Sequence, residues 1–86
     1  MYNYEIEKLK LDTAEGKHVF YHVKETIKNL LSLAGAVRME EALNKISGDS
    51  WTQIACMDRL VELGELKEIT DGHDACDQDR VFVSTQ

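Results

Sequence analysis

The sequence predicts an α+β domain of three helices closed by a C-terminal β-hairpin. Three observations carry that expectation. Apolar residues recur with helical spacing from His18 to Leu63. Beyond Gly64 the pattern changes to strand-like alternation. Isolated glycines, Gly35, Gly48 and Gly64, divide the helical stretch into three. The length of 86 residues suits one domain, 1–86, rather than two.

The elements follow in chain order. Tyr2, Tyr4 and Ile6 alternate with Asn3, Glu5 and Glu7, so residues 1–12 are expected to form an added N-terminal strand. Leu9 and Leu11 resume the alternation one place out of phase, which suggests a bulge or turn near Glu7-Lys8. Asp12 to Gly16 reads as a turn or a helix entry. From His18 to Ala34 the side chains of Val19, Phe20, Val23, Ile27, Leu30, Leu31 and Ala34 share a sector of about 120°, the mark of an amphipathic first helix. Gly35 ends it, and Ala36-Val37 is a link or a very short strand. Met39, Ala42, Leu43 and Ile46 give a second helix, with Glu40 and Glu41 in its first turn where the helix dipole favours negative charge. Ser50 opens a third helix through a capping box with Gln53; Ile54, Met57, Leu60, Val61 and Leu63 face inward, with Cys56 at the edge. The helices thus occupy 18–64 and the hairpin 65–84, its strands joined by a polar loop from Thr70 to Gln78.

This order resembles the winged helix-turn-helix domain. The residues that carry the resemblance are Met39-Glu40-Glu41-Ala42-Leu43, Ile46-Ser47-Gly48-Asp49-Ser50, Met57 through Leu66, and Arg80-Val81-Phe82-Val83. Most telling is the passage Leu63-Gly64-Glu65-Leu66, where an apolar helix end runs through a glycine into a strand. The resemblance covers Val19 to Val83 and leaves Tyr2 to Leu11 outside the minimal core. It implies that the third helix and the hairpin wing form the surface such domains present to DNA, and that added terminal elements often mediate dimers. The fold alone does not assign a function.

Charge argues about that surface. Sixteen Asp and Glu stand against ten Lys and Arg, a net charge of −6. Residues 1–48 hold seven acids and seven bases, whereas residues 49–86 hold nine acids and three bases, so the entire excess lies on the third helix and wing. An anionic polymer is repelled there. The expected function is therefore a non-catalytic interaction module that binds a protein partner in a regulatory setting. Its face is expected on the outer side of the third helix, at Trp51, Thr52, Ala55, Asp58, Arg59 and Glu62, with Trp51 as an anchor or else folded into the core. The alternative is a DNA-binding regulator that uses a basic patch of Lys17, Lys24, Lys28 and Arg38. The N-terminal strand is expected either to complete the monomer's sheet or to pair two copies, so monomer and homodimer are both open.

No enzyme, cofactor or metal is expected. His18 and His22 share a helix face but lack a third ligand. Asp71, His73, Asp74, Cys76, Asp77 and Asp79 crowd one loop, yet their spacing is not that of a calcium loop, and zinc would need Cys56 to join His73 and Cys76. The five glycines stand singly at element ends, so no phosphate-binding loop is present. Charges at Glu5, Glu7, Lys8 and Lys10 are unlike a signal peptide, and no apolar run is long enough to cross a membrane. A cytoplasmic protein with free thiols at Cys56 and Cys76 is expected.

Overall fold

Residues 1–12 form helix, not strand. In the structure, a computed structural model that describes residues 1–70 and 74–85, Tyr4–Glu7 is a short helix (α1) and Lys8–Asp12 continues it as a 3₁₀ helix. The alternation of Tyr2, Tyr4 and Ile6 is thus a misleading signal. The inward residues are Tyr4, Glu7 and Leu11, at helical spacing, while Ile6 and Leu9 point outward at 59% and 64% exposure. A charged residue at one inward position hides the helical period. The dimer route through an N-terminal strand edge falls with the strand.

Thr13 then caps the long helix α2, Ala14–Ala34, its hydroxyl accepting from the Gly16 amide at 3.0 Å. Gly35, at φ 78°, ends α2 in the left-handed conformation. Ala36–Arg38 forms strand β1, and Met39–Leu43 forms α3. α3 stops at Leu43, short of Ile46, because the chain turns there toward the next helix. Gln53 fixes that turn, its Nε2 donating to the carbonyls of Ile46 (2.8 Å) and Gly48 (3.1 Å).

That bond also corrects the expected capping box. Helix α4 spans Ser50–Glu62, but its cap is Asp49, whose Oδ2 accepts from the amide and hydroxyl of Thr52, both at 3.1 Å. Gln53 reaches back past the cap to the preceding turn instead of bonding Ser50.

Strands β2 (Leu66–Glu68) and β3 (Val81–Ser84) pair antiparallel, Leu66 opposite Ser84 and Glu68 opposite Phe82. β1 joins the other side of β3, Val37 opposite Phe82, giving the order β1-β3-β2. The fold is therefore α+β, four α-helices with a small antiparallel sheet among the described residues. Its core runs from Val19, Val23 and Ile27 of α2 through Ile54, Met57 and Leu60 of α4 to Val37, Leu66 and Phe82 of the sheet. α4 is the hub: six consecutive residues, Thr52 to Met57, are buried, so that stretch is covered on every side. Among the described residues no helix is long and apolar enough to cross a membrane.

Candidate functional site

The outer face of α4 carries the residues expected to meet a partner, and the chain's own N-terminal segment lies across it. Ala55 is 0% exposed and Thr52 6%, so neither can touch a partner while α1 and the 3₁₀ helix are in place. Small side chains there let the segment approach closely. Tyr2 donates its hydroxyl to Asp58 Oδ2 at 2.7 Å, and Tyr4 donates to Glu62 Oε1 at 3.1 Å. Arg59 lies 3.7 Å from the same Glu62 oxygen, and Lys8 lies 4.0 Å from its other one. Trp51, at the start of α4, keeps 36% exposure and meets the Tyr2 ring edge-on at a centroid distance of 6.4 Å. The six residues are therefore not one open surface: Thr52 and Ala55 are core, Asp58 is bound, and Trp51, Arg59 and Glu62 remain partly accessible.

Arg80 is the group that sequence reasoning missed. In the sequence it is the only Lys or Arg after Lys67, and it follows four acids of the hairpin loop, Asp71, Asp74, Asp77 and Asp79; that isolation was the available signal. The side chain is 6% exposed and saturated with partners. Its Nη2 donates to Asp58 Oδ1 and Glu68 Oε1, both at 2.9 Å, and Nε donates to Glu68 Oε2 at 3.1 Å. Nη1 donates to the Ala75 carbonyl at 2.7 Å, and the guanidinium sits over the Phe82 ring at 5.1 Å. Burial opposes the charge, but the hydrogen bonds to Glu68 and Asp58 outweigh it and hold the Arg80 pKa above its ordinary value. Burial, reinforced by Asp58, pushes the Tyr2 hydroxyl up as well, so it stays a donor at neutral pH. The chain Tyr2–Asp58–Arg80–Glu68 ties the N-terminus, α4 and the hairpin together.

Two acids of the hairpin loop hold its own backbone. Asp74 Oδ1 accepts from the Cys76 amide (3.2 Å) and Asp77 Oδ1 from the Asp79 amide (2.8 Å), which stiffens the loop as successive turns. Asp71 and His73 of the expected metal cluster lie outside the described residues. Among the described residues no group of three or more His, Cys, Asp and Glu side chains could hold a metal ion. The rings of His18 and His22 meet edge to face at 4.5 Å.

Both thiols are free, and their settings differ. Cys56 is buried in α4, and that burial pushes its thiol up to about 12. Cys76 is exposed. Ellman's reagent in native buffer is expected to titrate one thiol promptly and the second only in denaturant. Two equally fast thiols would contradict the packing of α4.

The expected basic patch divides. Lys17, Lys24 and Lys28 fall within about 40° on the surface of α2, with exposed Tyr21 beside them. Arg38 stands apart from this stripe electrostatically: its guanidinium is within 4.0 Å of Glu40, Glu41 and Asp79. The lysine stripe borders a groove of about 280 Å³ between α2, the end of α4 and the base of the hairpin. Ile27, Leu31, Leu60 and Leu66 form its apolar lining, and Lys24, Lys28 and Glu65 its charged rim. These residues come from three elements, so the spacing of the lysines is legible in the chain and the groove is not. No protein-family model, curated protein or solved structure matches this chain.

Proposed function

We propose that this chain is a non-catalytic winged-helix module that binds a protein partner in the cytoplasm. The winged-helix reading is supported by the sequence of elements from α2 to β3 and by the strand order β1-β3-β2, in which the first strand closes the hairpin from the far side. The observation that carries the choice of partner is the state of α4. Its outer face is occupied by the chain's own residues 1–12, and of the groups still accessible there the one cation, Arg59, is already beside a carboxylate, Glu62, at 3.7 Å. A helix so covered does not enter a major groove, and carboxylates do not hold phosphates.

A second reading keeps one specific support: Lys17, Lys24 and Lys28 lie in line along α2, where they could follow a nucleic-acid backbone. Titration of a labelled DNA duplex at low salt separates the two. A protein-binding module gives no anisotropy change at tens of micromolar. A backbone contact through three lysines gives binding that weakens with salt, with a log–log slope of roughly −2.7. That second outcome would overturn the protein-binding reading.

A further inference from the structure

We infer that the groove between α2 and the base of the hairpin docks an acidic peptide segment carrying one apolar anchor residue. The inference rests on the protein-binding reading and gives it a place and a partner chemistry.

Shape and charge agree. The floor is apolar and recessed: Ile27, Leu60 and Leu66 belong to the core, and Leu31 packs against it. The volume of about 280 Å³ is at the small end for ligand sites, which suits an anchoring side chain better than a bulky cofactor. At Gly64 the lip is bare backbone, since a Cβ there would meet nothing within 4 Å. Thr85 holds that lip in place, its hydroxyl donating to the Gly64 carbonyl at 2.7 Å. A partner therefore meets a preformed edge and pays little to order it.

The rim supplies the selectivity. Lys24 and Lys28 face one carboxylate, Glu65, which lies 3.3 Å from Lys24. Lys28 makes no ion pair among the described residues. Lys17 extends the same stripe. The rim is thus locally positive on a chain of net charge −6. An acidic segment is repelled by the wing and α4 and attracted here, so charge orients it before the anchor enters. A nucleic-acid backbone would satisfy the lysines but would leave the apolar floor unused and would meet Glu65. Those two features favour a peptide.

The test uses the full chain and a short synthetic peptide of Glu and Asp flanking a single central Leu anchor. Amide chemical-shift mapping is expected to show saturable changes at Lys24, Ile27, Lys28, Leu66 and Thr85. The double variant Lys24→Glu/Lys28→Glu should bind about tenfold more weakly or worse, and its surface positions leave the fold intact. A peptide with Lys in place of the acids should bind that variant and not the native chain, which separates lost charge from lost folding. A peptide of Glu alone should bind more weakly than the anchored one. Equal binding of the two, changes centred on another face, or no saturable binding of any peptide would overturn the groove assignment. Saturable binding at another face would do so while leaving the protein-binding reading standing. A DNA duplex that competes at Lys17, Lys24 and Lys28 and binds more tightly than the anchored peptide would overturn both.

Discussion

Arg80→Ala is expected to cost about 3–4 kcal/mol, the largest loss available from any one polar side chain here. The reason is the company it leaves behind. Asp58 and Glu68 have side chains only 19% and 23% exposed, and both turn toward the guanidinium. Removing the cation strands two like charges in a poorly solvated site, which is far worse than losing the pairs themselves. A chain of this length has roughly 4–13 kcal/mol of stability in all, so the variant should sit near its unfolding threshold at 25 °C. Urea unfolding followed by Trp51 fluorescence measures the loss. Arg80→Lys should recover only part of it, because an ammonium cannot make the forked contacts to Glu68 and Asp58 together. Replacing all three groups at once, with Arg80→Met, Asp58→Asn and Glu68→Gln, should cost less than Arg80→Ala alone. A loss below about 1 kcal/mol for Arg80→Ala would mean that the network is hydrated and adds little.

Arg80 also marks where the chain can be read directly and where it cannot. α2 and the hairpin were legible because their inward residues are apolar and keep a single period, as Val19, Val23 and Ile27 do, whereas in α4 the expected inward Leu63 is 51% exposed and the expected edge residue Cys56 is fully buried. The winged-helix reading grew from the same regular stretches. Elements that bury polar groups gave no such signal. In the N-terminal segment the inward positions are Tyr4, Glu7 and Leu11, and the fully apolar Ile6 and Leu9 face water. Hydrophobic alternation therefore pointed to a strand with the wrong faces. Glu7 shows why burial was tolerated there: Lys10 Nζ comes within 2.7 Å of its Oε1, although the approach is not aligned as a hydrogen bond. Thr52 and Ala55 were ambiguous for a different reason. Small, nearly neutral side chains suit both an open face and a close helix contact, and only the position of residues 1–12 decides between them. The groove rim was half legible, through the spacing of Lys17, Lys24 and Lys28, while its floor depends on where α4 and β2 come to rest.

Gly16→Ala is the second large effect, and its sign runs against the usual rule. In an exposed helix interior this change stabilises by about 1 kcal/mol, because alanine orders at less entropic cost. Gly16 lies in the first turn of α2 directly against the 3₁₀ helix. A Cβ there would fall 1.8 Å from the Lys10 carbonyl oxygen and 2.8 Å from the Leu11 Cα. Both obstacles are backbone, so no side-chain rotation relieves them. The chain must instead move residues 8–12 away from α2. That shift disrupts the 2.7 Å bond from the Thr13 hydroxyl to the Lys10 carbonyl and withdraws Leu11 from the core. It also strains the tyrosine contacts to Asp58 and Glu62 on α4. The net cost is expected at about 2–3 kcal/mol, the upper range for an overpacked contact. Hydrogen exchange distinguishes how the cost is taken. If residues 1–12 lift off as a unit, amide protection falls in α1 and the 3₁₀ helix while α4 and the sheet stay protected, and Trp51 emission shifts to the red as Tyr2 leaves it. If the segment is inseparable from the core, protection falls everywhere together and the urea midpoint drops with it. Either pattern follows from the close approach, whereas a Gly16→Ala chain more stable than the native one would contradict it. The first pattern would also uncover Thr52 and Ala55, and so turn the covered face of α4 into an accessible one.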